Sequence, residues 1–321
     1  MKKKILSSIC IVWCMSVMCI MPAAAQEVFP GKPIKIIVPL GAGGSSDLGA
    51  RLVARKLTEE LKQPVVVENR PGGNQVIGIG AVKAAPADGY TLLWTTSGIF
   101  AAAVTNKNVP FDGLKDFDPI TLGGRTNAVV IVHNSVPVTD LKTFVDYAKA
   151  NPGKLNFAST GGSVTLLIQY FMQTVGIDMP VIAYKSQPAS MNDFLTGQVQ
   201  VMIDRPSVYK AQIAGHGRAV AVTGAARDRD IPDVPTVAER GYKGFDIDTW
   251  QAMFIRSGTP PDRVAKIRAA MARVMTDPEI RKQFLDIGVE PSGSSAEELA
   301  ALSRNDAARW KTVAAKSKFQ P

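Results

Sequence analysis

The 321-residue chain carries 37 lysines and arginines against 28 aspartates and glutamates, a formal net charge of +9, with 46% hydrophobic residues, two histidines and three cysteines. That length suits about two domains with cores of their own. The basic surplus is spread along the chain with no run interleaved with aromatics, which speaks against a nucleic-acid surface, and beyond the N-terminal segment nothing approaches the roughly 18 consecutive apolar residues of a membrane span.

Met1-Lys2-Lys3-Lys4, the mostly apolar stretch from Ile5 to Met21 and the small residues Ala23-Ala24-Ala25 read as a secretory signal peptide, residues 1–25, cleaved before Gln26. Cys10, Cys14 and Cys19 all fall inside it. The mature chain is therefore expected to be exported, and to use no disulfide, thiolate ligand or cysteine nucleophile.

Ile34, Ile36, Ile37 and Val38, closed by Pro39, predict a strand, and Leu48, Leu52, Val53, Leu57 and Leu61 recur on one face of a helix. Between them lies Gly41-Ala42-Gly43-Gly44-Ser45-Ser46-Asp47, where small residues expose N–H groups at a helix N-terminus, so a carboxylate or phosphate can be held without a cationic side chain. The spacing is neither GxGxxG nor GxxxxGK[ST], and Asp47 disfavours phosphate unless it turns back to cap the backbone. A small organic anion fits this turn better, beside the plainer reading of a βα connection and nothing more.

The alternation continues with a strand from Pro64 to Glu68, a helix from Val76 to Ala85 and a strand from Tyr90 to Thr95, which predicts parallel α/β structure. Thr96-Ser97-Gly98 would then open onto the same sheet edge as Gly43-Gly44. Two strand-like runs, Ile120 to Leu122 and Ala128 to Val132, flank Gly123-Gly124 and mark a crossing into a second unit.

That unit repeats the theme: a helix from Asp140 to Ala150, a strand from Leu155 to Ala158, the turn Ser159-Thr160-Gly161-Gly162-Ser163 and an apolar helix from Val164 to Val175. A strand from Val181 to Tyr184, a helix from Ala189 to Thr196, a strand from Val199 to Asp204, a helix from Ser207 to Ala214 and a strand from Ala219 to Thr223 follow. After an irregular stretch, a strand from Thr249 to Arg256 and three helical patterns from Pro260 to Lys316 supply too little new sheet for a third unit, so they are expected to return to the first.

Catalytic constellations are absent from the pattern. His133 and His216 have no partner at ligand or triad spacing, and there is no HExxH and no G-x-S-x-G elbow. Asp204, at the carboxyl edge of its strand, reads equally as a ligand contact or as an ion-pair partner of Arg205. Trp250 and Tyr184 fit core or hinge packing better than ligand stacking.

Taken together, Pro33-Ile34 with Val38-Pro39 and Ala42-Gly43-Gly44-Ser45-Ser46-Asp47, then Gln63-Pro64-Val65-Val66-Val67-Glu68-Asn69-Arg70-Pro71-Gly72, Asp88-Gly89-Tyr90-Thr91-Leu92-Leu93, Asn156-Phe157-Ala158-Ser159-Thr160-Gly161-Gly162-Ser163, Ala183-Tyr184-Lys185, Pro232-Asp233-Val234-Pro235-Thr236 and Ser257-Gly258-Thr259-Pro260 resemble the extracytoplasmic solute receptors of tripartite tricarboxylate transporters, the Bug family. The resemblance covers essentially the whole mature chain. It implies a type II periplasmic-binding fold, α/β in two lobes: residues 26–124 in lobe 1, residues 125–247 in lobe 2, and residues 248–321 back in lobe 1.

The resemblance also implies a ligand cleft between the lobes that closes on a small organic carboxylate, delivered to integral-membrane permease subunits in the periplasm by a monomer, with no cofactor and no metal. Ligand contacts are expected from Gly43, Gly44, Ser45, Ser46, Asp47 and Ser97 on one side, and from Ser159, Thr160, Gly161, Gly162, Ser163 and Asp204 on the other. A secreted hydrolase and a ligand-sensing receptor for a two-component kinase are the alternatives. Leu40-Gly41, Leu166, Gln169-Tyr170 and Ser186 depart from the family pattern, and an apolar Leu166 would turn the pocket towards ligands with an apolar body if it faces the ligand rather than packing within its helix.

Overall fold

The computed structural model describes residues 28–106 and 108–316. The signal-peptide reading lies outside them. Strand β1 (Ile34–Val38), helix α1 (Ser45–Leu61), strand β2 (Val65–Asn69), helix α2 (Val76–Ala84) and strand β3 (Thr91–Thr96) form the opening parallel α/β unit, in which β1 pairs with both β2 and β3. Helix α3 (Gly98–Thr105) follows β3 at once. It was not legible in the sequence because Ile99, Phe100, Ala101 and Ala102 are all buried and leave no polar face to set a period.

Strand β4 (Phe117–Thr126) continues through Gly123-Gly124, so the break before the second expected strand falls at residues 127–128 rather than at the glycines. The glycines answer to close packing rather than to a turn: a Cβ on Gly123 would stand 2.2 Å from the Trp94 ring, and one on Gly124 2.6 Å from the Val289 side chain. The chain then enters a second sheet through β5 (Val129–His133), α4 (Leu141–Ala150), β6 (Phe157–Ser159), α5 (Gly162–Val175), β7 (Val181–Ala183), α6 (Gln187–Leu195) and β8 (Val201–Asp204). The helix expected from Ser207 to Ala214 is a short α7 (Pro206–Val208) running into a π-turn at Tyr209–Ile213, before β9 (Gly217–Val222).

Strand β10 (Thr249–Arg256) crosses back, followed by α8 (Pro261–Thr276), α9 (Pro278–Asp286), the short β11 (Glu290–Pro291) and α10 (Ala296–Lys316). The result is a six-stranded sheet ordered β11-β4-β10-β3-β1-β2 and a five-stranded sheet ordered β7-β6-β8-β5-β9, each the centre of a lobe. In the first sheet β10 is antiparallel to β3 and β4; in the second, β6 is parallel to β7 and β8 while β5 is antiparallel to β8 and β9.

The apolar stripe of α1 (Val53, Ala54, Leu57, Leu61) and that of α8 (Ile267, Ala270, Met271, Val274) close one face of the first sheet. A second core runs through both lobes: α3, β10 and α10 contribute Phe100, Trp250 and Trp310, and α5 and β6 contribute Phe171 and Phe157. Helix α5 packs on α3 and α10, so the lobes share an apolar joint on this side. Burial of these side chains, worth roughly 25 cal/mol per Å², holds the two lobes together on this side.

Candidate functional site

Parallel strands place their carboxyl ends on one edge, and each lobe turns that edge towards the other. In the first lobe the segments after β1 (Leu40 to Ser46), after β2 (Asn74, Gln75) and at the end of β3 (Thr96) meet; in the second, Thr160 to Val164 after β6, Gln187 after β7, and Asp204 and Arg205 at the end of β8 meet them. Thr126 to Ala128 and Thr249, from the two crossings, form the floor. These walls enclose about 500 Å³. That is the size of a small-molecule site. Another hollow of about 460 Å³, between α5 and α10, is lined by side chains such as Tyr170, Thr312 and Lys316 and receives no helix N-terminus.

Four helices start at the interlobe pocket. Gly44 before α1, Gln75 before α2, Gly161 before α5 and Ser186 before α6 give no side-chain hydrogen bond to the first turn. At α2 the first two amides, of Val76 and Ile77, already donate to the Gly73 and Gly72 carbonyls, and α6 carries Pro188 in its first turn, so it is the starts of α1 and α5 whose leading N–H groups and partial positive charge are best placed for a guest. Ser46 is 7% exposed, lines the pocket, and its Oγ has no hydrogen-bond partner among the described residues. A buried hydroxyl left unpaired costs about 1–3 kcal/mol, which an incoming acceptor would relieve.

Of the expected contacts, Gly44, Ser45, Ser46, Thr160, Gly161, Ser163 and Asp204 line this pocket; Gly43, Asp47, Ser97, Ser159 and Gly162 are not among its lining residues. The physical reasons differ. Asp47, 2% exposed, is spent on the loop: Oδ2 accepts from the Gly43 amide at 2.9 Å and Arg51 Nε at 3.0 Å, and Oδ1 from Asn69 Nδ2 at 2.9 Å. Ser159 Oγ shares a 2.7 Å hydrogen bond with Thr165 and accepts from the Gly161 amide at 3.1 Å, bracing the second turn in the same way. Ser97 is buried where β3 passes into α3, its amide bonded to the Trp250 carbonyl.

Gly162 faces the other lobe: its φ is +52°, and a Cβ there would lie 2.5 Å from the Asn74 side-chain amide. Leu166 is fully buried in the joint core and is not among the pocket's lining residues, which favours packing within its helix over contact with the ligand. Val164 and Leu167 form the apolar wall instead. Trp250 is 1% exposed and donates from Nε1 to Asp306 at 2.7 Å, which makes it a strut of the joint. Tyr184 donates to Asp193 at 2.9 Å, its hydroxyl pushed up to about 12 by burial and by that bond. His133 is held by Ser135 and packs edge-on against Phe194.

Thr96 lines the pocket at the edge where the sequence placed it; Asn74, Gln75, Asn127 and Gln187 were not found by sequence reasoning, and Arg205 was read there only as an ion-pair partner. The rule that placed Thr96-Ser97 at the sheet edge would have reached Asn74 and Gln75, since β2 is also parallel to β1. Both have positive φ, +53° and +77°. Strain of this kind in residues other than glycine collects at sites where a ligand must be met. Gln75 is fixed by Thr95 Oγ1, which donates to its Oε1 at 2.9 Å, and by its own donation to Thr96 at 3.1 Å.

Only Asp204 and Arg205 bring charge to the lining, and of the two readings of Asp204 the side-chain ion pair with Arg205 is not formed. The Asp204 carboxylate accepts from the Arg205 backbone N–H and from Gln187 Nε2, each at 2.7 Å. The Arg205 guanidinium instead crosses to the first lobe and donates to Ser45 Oγ at 3.2 Å.

Burial opposes ionisation of Asp47, yet the bonds from Arg51, Gly43 and Asn69 outweigh it and hold the carboxyl below its ordinary 3.8. A depressed carboxyl stabilises the fold above its unfolded value and loses that contribution as pH falls through the folded value. Asp47→Ala is accordingly expected to cost about 1.5–3 kcal/mol in urea unfolding at pH 7. The difference from wild type should shrink as the titration is repeated at pH below 3.8.

The sequence profile described as "Tripartite tricarboxylate transporter family receptor" matches residues 49–318. The "UPF0065 protein in tcbD-tcbE intergenic region" of Pseudomonas sp. (strain P51) is 32% identical over 91% of this chain and 88% of its own length. The solved structure of the periplasmic binding protein BugD is 31% identical, with a TM-score of 0.74 over 90% of this chain and 98% of that one. The structure of R. palustris Rpa4515 with adipate is 30% identical, with a TM-score of 0.76 over 89% of this chain and 97% of that one.

Proposed function

Since this chain belongs to the tripartite tricarboxylate transporter receptor family, a family of solute-binding proteins and not of enzymes, we propose that it is a periplasmic receptor that closes on a small organic carboxylate and delivers it to a membrane permease. The observation that carries the reading is the meeting of uncapped helix N-termini from opposite lobes, α1 at Gly44 and α5 at Gly161, across one pocket beside the unpartnered Ser46 hydroxyl. A carboxylate at Gly44 to Ser46 and a second at Thr160 to Ser163 would complete both sets of donors, with Gly43, Asp47, Ser159 and Gly162 shaping the two turns and Ser97 supporting the wall behind them. Adipate in the related structure is a ligand of this kind.

Ligand binding then favours the closed arrangement, because each lobe alone compensates only part of a desolvated carboxylate pair. No helix among the described residues is long and apolar enough to cross a membrane. In this reading delivery falls to a separate permease, the partner that the family description suggests.

Thermal unfolding with four- to six-carbon dicarboxylates tests this reading. A bound acid at about 100 times its Kd should stabilise the protein by about 2.7 kcal/mol. Ser46→Ala is expected to weaken the same acid about tenfold while leaving the ligand-free protein as stable as wild type or slightly more so, since the lost hydroxyl had no partner. Unchanged affinity in that variant would take Ser46 out of the grip.

A further inference from the structure

The pocket is lined by helix N-termini, hydroxyls and side-chain amides, and Asp204 is the one acidic group among its lining residues. It stands at the end of β8, with Thr160, Gln187, Ser190 and Thr249 also on the lining. Its two oxygens each accept one hydrogen bond, from the Arg205 amide and from Gln187. A carboxylate has about four acceptor positions, so two remain. Both existing partners are donors, which fixes the group as an acceptor and orients what is left of its hydrogen-bonding capacity to a further donor.

Burial pushes the carboxyl upward, opposed by those two bonds and by the Arg205 charge, which marks its negative charge as incompletely compensated. The one nearby cation does not supply the missing donor, because the Arg205 guanidinium is engaged with Ser45 across the cleft. A plain dicarboxylate closed into this space would set its own oxygens or its methylenes against Asp204, leaving the charge unpaired in a shrinking pocket.

We propose, building on the carboxylate reading above, that Asp204 is a specificity residue: it accepts a hydrogen bond from a hydroxyl or ammonium group on the ligand, so the receptor takes hydroxy- or amino-carboxylates in preference to plain dicarboxylates of equal length. Asp204 thereby sets the ligand class, while the helix N-termini set the requirement for carboxylates.

Calorimetry on the full mature protein with matched acids tests this: succinate, malate and aspartate, then glutarate, 2-hydroxyglutarate and glutamate. At the chain length that binds, the hydroxy or amino member is expected to bind at least about tenfold more tightly than the plain acid, and which of the two leads separates a hydroxyl from an ammonium. In Asp204→Asn the preference should fall to about threefold or less and the plain acid should tighten, because the amide is uncharged. A merely structural aspartate would weaken every acid together.

Plain acids that match their substituted partners in the wild-type protein overturn the inference, whether or not the variant folds, and leave the carboxylate reading standing. So does a preference kept intact in Asp204→Asn. Failure of all six acids to bind overturns both.

Discussion

Gly44→Val is expected to lower ligand affinity at least about hundredfold while leaving the ligand-free protein near wild-type stability. The residue has φ −77°, an extended conformation open to any side chain, and a Cβ there meets nothing closer than the Gly41 carbonyl at 4.0 Å. The isopropyl group therefore enters the pocket lining rather than the core, at the first uncapped position of α1. Losing hydrogen bonds to a charged group, each worth about 1.5–3 kcal/mol, corresponds to a hundredfold or more. Gly162→Val makes the contrast: at φ +52° a β-branched side chain is strained, and its Cβ runs into Asn74 of the opposite lobe, so both stability and closure should suffer. Calorimetry and thermal unfolding of the two variants separate obstruction of the ligand from obstruction of closure.

The largest effect on stability is expected at Asp306. It is 3% exposed on α10, accepts from Trp250 Nε1 at 2.7 Å and from Arg309 at 3.0 Å, and so ties the C-terminal helix to the returning strand β10 at the joint between lobes. Asp306→Ala leaves the buried indole N–H without its acceptor and is expected to cost about 2–3 kcal/mol in denaturant unfolding. Asp306→Asn keeps an acceptor and removes a buried charge, so its stability should equal or exceed wild type at neutral pH. The sign follows from titration: burial raises this carboxyl above 3.8, against the Trp250 bond and the Arg309 charge, so the folded state holds its proton more tightly than the unfolded one. Its contribution falls as pH rises from 3.8 through the raised value, the reverse of Asp47.

The two lobes and most elements could be read from the sequence because their signals are local: β-branched runs between glycine- and proline-rich turns, and apolar stripes such as that of α1. Helix α3 escaped because its run Ile99 to Val104 is apolar throughout, with no polar residue to mark a period, and Gly123-Gly124 misled because glycine marks close packing as readily as a turn. The two small-residue turns of the site were visible for the same local reason. What stood on them was less so. Asp47 and Ser159 carry the residue types of ligand contacts, yet spend their acceptors on their own loops, and Leu166 changes the family pattern from inside the core. Asn74 and Gln75 lay within reach of the sheet-edge rule that placed Thr96-Ser97, whereas Gln187 and the cross-cleft reach of the Arg205 side chain depend on the meeting of separate segments, which no spacing along the chain encodes.

In the proposed complex a carboxylate ligand is held between the start of α1 and the start of α5. A crystal structure with the tightest-binding acid tests it most directly. One carboxylate should lie within hydrogen-bonding distance of the amides at Gly44 to Ser46 and of the Ser46 hydroxyl, and another should lie at Thr160 to Ser163, with the lobes closed over both. A ligand seated elsewhere, or bound with Ser46 Oγ still unpartnered and only one of the two turns engaged, would contradict the account.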